Sequence, residues 1–573
     1  MSQLTKYKNH KATVWTIAGS DCTGGAGIQA DTKTMHNLGL SVNASGYTAL
    51  GIEVCSVITA VTAQNSFGVA QINAMSEDVI LSQIHALDQE KPARVIKIGL
   101  LANKQQVELV AQQIAKFKRN WPIKPFIVYD PVAVASNGGD LTEDDILPTI
   151  KEKLLPLVDL LTPNGKEVQK LTGVFAFSWD CLTTAADKIL ALGVGAIIIK
   201  GGHIEIAENK SIDFCTDGKQ EYWLSSDRIN TQNSHGTGCT FASALAALLA
   251  LGYALKDVFV IAKAYINQGL KISKDQSDGS AAISQGNIYQ GAICQGSITQ
   301  GAWPNDINDY PEVLVAGSEL AESIAWTGSQ QDQKQEQLSI KQEIFPTKQK
   351  QHQGFCSDFA SVETDKLGLY PVVDSIAWLE RLLKTGVNTI QYREKKITGD
   401  ELELAIQQAI TLGKQYKAKL FINDYWQLAI KHKAYGIHLG QEDIQTADLS
   451  AIKKAGVRLG ISTHGHYELL KIKQYRPSYL AVGAIFPTKT KDMTGQIQGL
   501  NTLAHLVKLN PTIPMVAIGG ITLEKAPCVL ATNVGSIAVV TAITEADNPE
   551  YAVTQFQQIL QQQQLLQQPI SRN

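Results

Sequence analysis

Short apolar runs alternate with amphipathic stretches along most of this chain, and the alternation predicts its folds. A buried strand is expected at 13–17, with further strands at 56–63, 95–98, 126–129, 158–161 and 196–199. Between them, 76–87, 105–117 and 183–192 repeat apolar residues at helical spacing. Such alternation predicts a mostly parallel sheet covered by helices on both faces. From 367 the period tightens, with strands expected to begin near 368, 388, 419, 435, 458, 478, 514 and 535. Each is followed by a helical segment, such as 376–383, 401–416 or 501–509. Eight strand-helix units over about 200 residues are the count for a compact (β/α)8 TIM barrel.

Between the halves the period breaks. Ser284-Gln-Gly-Asn-Ile, Tyr289-Gln-Gly-Ala-Ile, Cys294-Gln-Gly-Ser-Ile and Thr299-Gln-Gly-Ala-Trp form a five-residue tandem repeat. So few copies are too short for a free-standing solenoid, and an expanded loop is expected. Residues 310–317 are expected to be ordered, 330–353 read as a Gln/Lys-rich flexible linker, and the Gln-rich 557–568 as the end of the last helix. The expected organisation is therefore a first α/β domain over 12–280, a low-complexity connector over 281–366 and the barrel over 367–563.

Composition narrows the function classes. The 573 residues exceed what one hydrophobic core supports, so two large domains fit. A formal net charge of -3 gives no case for nucleic acid or a polybasic membrane surface as a partner. Cys22, Cys55, Cys181, Cys215, Cys239, Cys294, Cys356 and Cys528 show no C-x-x-C or Cys/His spacing, which points to a reducing, cytoplasmic setting without structural zinc. The longest apolar run, 241–255, is shorter than the roughly 18 residues of a spanning helix, and residues 1–11 lack the apolar centre of a secretory signal. A homo-oligomer is left open.

The chemistry of the first half centres on Asn233-Ser-His-Gly-Thr-Gly-Cys-Thr240 before an Ala- and Leu-rich helix. Gly236 and Gly238 let successive N–H groups converge at a helix N-terminus, where phosphate is favoured. Cys239 lies in the same field, so its thiolate is expected to be favoured and to serve as a base. Read alone, the octapeptide is equally a loop and cap. Upstream, Ala18-Gly-Ser-Asp-Cys-Thr-Gly-Gly-Ala-Gly-Ile-Gln-Ala-Asp31 gives strand, Gly-rich turn and helix, with Gly spacing unlike the dinucleotide fingerprint. Asp31, one turn into the helix, could take a ring amino group, or could be an ordinary first-turn acid. Polar and Gly residues follow the other strands: Gln64-Asn65, Gly99-Leu100, Asp130-Pro131, Asn164 with Glu167, and Lys200-Gly-Gly-His203. Polar groups gathered at the carboxyl ends of parallel strands mark a crevice.

In the barrel, alternation along Gln391-Tyr-Arg393-Glu-Lys395 puts Gln, Arg and Lys on one side. Asn423-Asp424, His438-Leu-Gly-Gln-Glu-Asp443, Ser462 and Thr488-Lys-Thr490-Lys491 end later strands, while Gly519-Gly520 and Val540-Thr541 end the last two, the usual barrel phosphate position. Basic residues, two acids and Gly turns on one face suit a diphosphate with Mg2+ and a second phosphate.

Two resemblances follow from these motifs. Ala18-Gly-Ser-Asp, Gly24-Gly-Ala-Gly-Ile-Gln-Ala-Asp31, Thr62-Ala-Gln-Asn65, Lys97-Ile-Gly99, Leu161-Thr-Pro-Asn164, Lys200-Gly-Gly-His203 and His235-Gly-Thr-Gly-Cys239, in order over about 12–280, resemble the hydroxymethylpyrimidine and hydroxymethylpyrimidine-phosphate kinases of thiamine synthesis. The resemblance implies a ribokinase-like fold, with Asp31 and Gln64 reading the pyrimidine and Gly19 and Leu100 lining its pocket. It further implies Asp130, Glu167 and Asn164 around Mg2+ and its waters, Lys200 and the Gly236-Thr237-Gly238 turn on ATP phosphates, and Cys239 facing the acceptor. Cys239→Ala would then hurt the first phosphorylation more than the second. The barrel, about 367–563, resembles thiamine phosphate synthase. That implies Arg393, Lys395, Asn423 and Lys491 on pyrophosphate, Gln391 beside the pyrimidine, Asp424 and Asp443 on Mg2+, and Ser462 at the developing charge. Thr488, Thr490, Gly520, Val540 and Thr541 would hold the thiazole phosphate. Two departures stand out: residues 40–54 are extra, and Ala135-Ser-Asn-Gly138 lacks an expected basic residue. A rival reading joins a pyridoxal-type kinase to a barrel that only binds thiamine phosphate.

Overall fold

The computed structural model describes residues 11–42, 48–65, 68–132, 146–204, 206–231, 233–277, 298–315, 359–488, 497–510 and 512–566, which fall into two compact units, 1–345 and 346–573. Among the described residues no helix is long and apolar enough to cross a membrane.

The first unit is built on β1 (Ala12–Asp21), β2 (Leu40–Val42), β3 (Thr48–Leu50), β4 (Ile52–Asn65), β5 (Gly68–Ala74), β6 (Val95–Ile98), β7 (Phe126–Tyr129), β8 (Leu160–Leu161), β9 (Ile197–Ile199), β10 (Lys210–Thr216), β11 (Glu221–Asp227) and β12 (Glu312–Val313). Ten of these form one sheet in the order β12-β11-β10-β9-β8-β7-β6-β1-β4-β5. The centre, from β9 to β4, is parallel, and its strands are short apolar runs because helices bury both faces. Val95–Ile98 is buried at every position. Antiparallel strands finish both edges. This is the ribokinase-like arrangement.

Three parts of this unit differ from the pattern expected of the sequence. The extra segment forms a small antiparallel hairpin, β2 with β3, before β4 begins at Ile52. The hairpin β10–β11 turns at Asp217-Gly218, with Gly218 at φ 79°, and was not anticipated. Within the stretch expected to connect the domains, Glu312–Val313 adds the edge strand β12 to β11, and Leu314 N–H bonds Trp223 O at 2.9 Å. The repeats up to residue 297, the linker 330–353 and Ala135-Ser-Asn-Gly138 lie outside the described residues.

The second unit is a closed barrel of eight parallel strands in chain order: β13 (Gly368–Val373), β14 (Thr389–Tyr392), β15 (Lys419–Asn423), β16 (Gly436–Leu439), β17 (Arg458–Thr463), β18 (Tyr479–Val482), β19 (Met515–Ile518) and β20 (Ser536–Val539). Its interior is packed by the rings of Tyr370, Phe421 and Tyr479 with Val516 and Ala538. The rings need space that only glycine leaves. A Cβ on Gly436 would lie 2.3 Å from Phe421, and one on Gly460 2.1 Å from Tyr479. Residues 359–366 cover the amino-terminal face of the barrel, where Ser361 O accepts from Arg458 at 2.7 Å and Ala360 O from Ser478 at 2.7 Å.

Two buried histidines, His438 and His466, and the half-buried His505 make this unit acid-sensitive. Burial pushes His438 and His505 down to about 4 and His466 to about 3. The unfolded chain therefore binds protons from about pH 6.5 downward while the native barrel does not, and the contribution present above pH 6.5 is lost as pH falls toward 4. Each residue contributes on the order of 3 kcal/mol over that range. Urea midpoints read by hydrogen exchange in barrel peptides should fall steeply between pH 6.5 and 4. The double variant His466→Leu/His505→Leu should flatten the slope; an unchanged slope would mean those rings are solvated in the native state.

Candidate active sites

Two glycine-rich turns meet at the carboxyl ends of the parallel strands in the first unit and enclose a cavity of about 630 Å³. Gly236 sits at φ 82°, and a Cβ there would lie 1.8 Å from Gly25 O. No L side chain fits, so the turn rests directly on the first Gly-rich loop. Thr237 opens the long buried helix Thr237–Ala250 with its own N–H bonded to Ser234 O at 3.2 Å, and Gly236, Thr237 and Gly238 line the cavity. The missing side chain of Gly238 leaves Asp130 Oδ2 and Lys200 Nζ at 3.4 and 3.5 Å from the Cβ position.

Lys200 Nζ bonds Asp130 Oδ1 at 2.7 Å and lies 4.0 Å from Glu167 Oε2. Burial works against the Lys200 charge, but Asp130 and Glu167 overcome it and raise its pKa above that of an ordinary lysine. Burial, reinforced by Asp130, holds the Glu167 carboxyl above its usual range despite Lys200. Asn164 and Glu167 form a capping box on the helix Gly165–Thr172, with Glu167 Oε2 accepting from Asn164 N at 2.7 Å. The Asn164 side-chain oxygen is thus committed to Lys166 N and Glu167 N, at 2.9 and 3.0 Å.

At the other end of the cavity Gly19, Leu100 and Gln64 line the wall as expected, and a Cβ on Gly19 would be 3.0 Å from Leu100 Cδ2. Asp31 does not line it. It is fully buried, bonded to Lys97 Nζ at 2.8 and 3.0 Å, Thr16 Oγ1 at 2.5 Å and Ser243 Oγ at 2.5 Å, so it reads no ligand and instead anchors a buried lysine. A carboxylate of the same Gly-rich segment that does line the wall is Asp21, which ends β1 at the face where acids are informative.

Cys239 lines the cavity, but the expected thiolate is not favoured. Burial pushes the thiol up to about 11; Lys97 and the Gly27 backbone pull the other way, and Asp31 and Asp130 work against them. At pH 7 only about one molecule in 10⁴ would carry a thiolate. Cys239→Ala should therefore slow both phosphorylations alike and by less than about tenfold. A loss of about 10²-fold or more in the first step alone would restore the base role.

In the barrel, Gln391 lies on β14, Asn423 ends β15 and Ser462 lies on β17, with Arg393 directly after β14. Asp424, at φ 65°, is hydrogen-bonded by Asn423 and by Lys395. Asp443 Oδ2 accepts the Gly440 N–H at 3.0 Å, which fixes it in the loop after β16. Gly520, at φ 62°, follows β19, and Val540 precedes the short helix Thr541–Thr544 after β20. Thr488 is described after β18; Thr490 and Lys491 lie outside the described residues. The described residues thus gather at the carboxyl-terminal face.

Comparison with known proteins agrees with both halves. The phosphomethylpyrimidine kinase family matches residues 21–283 and the thiamine monophosphate synthase family residues 369–543. A thiamine-phosphate synthase of Yersinia pseudotuberculosis serotype O:1b (strain IP 31758) is 56% identical over 207 residues, 36% of this chain and 96% of that protein. The chain belongs to the thiamine-phosphate synthase family. A thiamine-phosphate synthase of Photorhabdus laumondii is 59% identical over 198 residues, covering 35% of this chain and 91% of that one. A solved phosphomethylpyrimidine kinase of Clostridium difficile 630 shares 30% identity over 45% of this chain and 99% of its own, with a TM-score of 0.38. The chain is thus a bifunctional enzyme, a phosphomethylpyrimidine kinase unit followed by a thiamine-phosphate synthase unit.

The synthase barrel also holds a polar chain that the sequence did not announce. Gln391 Nε2 donates to Tyr370 OH at 3.3 Å, Tyr370 OH pairs with Tyr479 OH at 2.7 Å, Tyr479 OH meets His438 Nδ1 at 2.7 Å, and His438 Nε2 meets Ser462 Oγ at 2.8 Å. With His438 held at about 4 by burial, the ring is neutral and fixes the Ser462 hydroxyl by a hydrogen bond.

Proposed function

We propose that the chain makes thiamine phosphate in three steps. Hydroxymethylpyrimidine is phosphorylated by ATP to the monophosphate, the monophosphate to the diphosphate, and the diphosphate is condensed with thiazole phosphate, releasing pyrophosphate. The observation that carries this is the union in one chain of the two units, since the product of such a kinase is the substrate of such a synthase.

In the kinase cavity the pyrimidine ring lies between Gln64, Gly19 and Leu100, and the transferred phosphoryl group lies against Lys200 and the N–H groups of Gly236-Thr237-Gly238. Phosphoryl transfer is chiefly positioning and charge stabilisation, which this turn and lysine supply. Asp130 and Glu167, two buried carboxylates beside one ammonium, would hold Mg2+ beside the ATP phosphates. Bound there, Mg2+ would neutralise charge on the phosphates.

In the barrel, Asp424 and Asp443 suit Mg2+ on the pyrophosphate, with Arg393, Lys395, Asn423 and Lys491 supplying the remaining charge and hydrogen bonds. The C–O bond to pyrophosphate breaks, the pyrimidine methylene carries positive charge beside Gln391, and the thiazole nitrogen captures it. Thr488, Thr490, Gly520, Val540 and Thr541 hold the thiazole phosphate, and Ser462, fixed by His438, faces the developing charge. No base acts at carbon; the site holds the two rings in reach and excludes water. The high identity to thiamine-phosphate synthases supports catalysis over a barrel that merely binds thiamine phosphate.

The test is a mass-spectrometric time course of the full-length chain with hydroxymethylpyrimidine, ATP, Mg2+ and thiazole phosphate. Thiamine phosphate should appear after a lag filled by the mono- and diphosphate. Diphosphate accumulating alone would sink the synthase reading, and no phosphorylated pyrimidine would sink the kinase reading.

A further inference from the structure

The last Gln-Gly repeat, Thr299-Gln-Gly-Ala-Trp303, is folded into the kinase unit. Ile298, Thr299 and Gln300 are buried, and the segment lies against the helix Leu255–Ser277. Ser273 Oγ accepts the Thr299 N–H at 2.8 Å, and Tyr265 OH donates to Gly301 O at 2.9 Å. The fit is close enough to need glycine, because a Cβ on Gly269 would lie 2.5 Å from Thr299 O. From this seat the segment reaches both flanks of the Gly236-Thr237-Gly238 turn. The Ile298 N–H donates to His235 O at 3.0 Å, immediately before Gly236. Gln300 Nε2 donates to Thr240 Oγ1 at 3.3 Å, in the first turn of the helix Thr237–Ala250. Gln300 O in turn accepts from Asn37 Nδ2 at 3.0 Å, near the end of the helix Gly27–Gly39 that follows the first Gly-rich loop.

We propose that Gln300 is a positioning residue for phosphoryl transfer, holding the Thr240 end of the turn while Ile298 holds its His235 end. The proposal rests on the kinase reading above. Glycines let the turn approach phosphate closely, but they also leave its backbone free and offer no side chain by which to fix it. Donors stabilise a transferred phosphoryl group only when their direction is set before the reaction. Gly236 resting on Gly25 O limits movement on one side, and the repeat supplies hydrogen bonds on both flanks. Neither Ile298 nor Gln300 touches the reacting atoms; each acts through the backbone of the turn. A stretch that composition alone would set in a loop is thereby part of the machinery of the first enzyme.

The test measures kcat and KM of the full-length chain for hydroxymethylpyrimidine and ATP, with condensation of supplied pyrimidine diphosphate as a control in the same molecule. Gln300→Leu keeps the volume and removes the amide. Its kcat for phosphorylation should fall between about 10- and 100-fold while the KM for hydroxymethylpyrimidine stays within about twofold. Thr240→Val removes the other partner and should lose as much, whereas Thr240→Ser, which keeps the hydroxyl, should lose little. That pair gives the same comparison should Gln300→Leu fail to fold. The double variant Gln300→Leu/Thr240→Val should be no worse than either single one. Tyr310→Phe removes the bond from Tyr310 OH to Pro304 O at 3.1 Å, farther along the same segment, and should lower the urea midpoint without changing kcat. Wild-type kcat in Gln300→Leu, equal losses in Thr240→Val and Thr240→Ser, additive losses in the double variant, or a kcat loss of the same size in Tyr310→Phe overturns the positioning role and leaves the kinase reading standing. A wild-type chain that phosphorylates no pyrimidine overturns both.

Discussion

Gly236→Ala should abolish phosphorylation of hydroxymethylpyrimidine and leave condensation of supplied pyrimidine diphosphate with thiazole phosphate unchanged. The added methyl would lie 1.8 Å from Gly25 O at φ 82°, so the turn must move and its N–H groups lose their aim. Left-handed backbone at alanine costs only about 1–2 kcal/mol. The larger effect falls on the transition state, where losing one preorganised donor costs on the order of 10²–10³ in kcat. The two rates are read separately by mass spectrometry. A kinase rate within about tenfold of wild type would mean that the turn does not hold the transferred phosphate.

Asp424→Asn should do the reverse. Asparagine tolerates the left-handed φ of 65° at this position, so the backbone stays and only the charge is lost. Condensation should fall by on the order of 10²-fold, pyrimidine diphosphate should accumulate, and raised Mg2+ should recover part of the rate. Asp424→Ala should add a loss of stability that the asparagine variant lacks. If condensation by Asp424→Asn is near wild type at limiting Mg2+, the ion is held elsewhere.

The barrel was legible almost to the residue: strands expected near 388, 435 and 478 begin at Thr389, Gly436 and Tyr479. Buried parallel strands are bounded by turn residues, and helices follow at a regular period, so each boundary is marked twice. The hairpin β10–β11 carried its own signal, Asp217-Gly218 between two runs, but a reading tuned to strand-helix alternation passes over antiparallel edges. The site was legible where backbone chemistry decides it, as at Gly236. It was not where the outcome depends on what packs behind a residue. Asp31 and Asp21 are both buried acids of one Gly-rich segment; Lys97, Thr16 and Ser243 take up the first, while the second lines the cavity. Cys239 has the helix terminus the sequence promised, yet burial and two carboxylates prevail over it. The chain Gln391, Tyr370, Tyr479, His438, Ser462 spans five strands and has no local signature at all.

The strand β12 places both flanks of the Gln-Gly repeats in the first unit. The long helix of the first unit is described to Ser277, and at Ile298 the chain is bonded to His235 of the same unit, going on to pair with β11. Both ends of the repeat tract are therefore moored in one domain. Gain or loss of a five-residue copy would change the length of chain between two points of one unit, not the tether between the enzymes. A change in copy number should leave both activities intact, whereas a chain cut at residue 280, where the catalytic motifs end, would strip the sheet of its edge strand and leave β11 open to pairing with other chains.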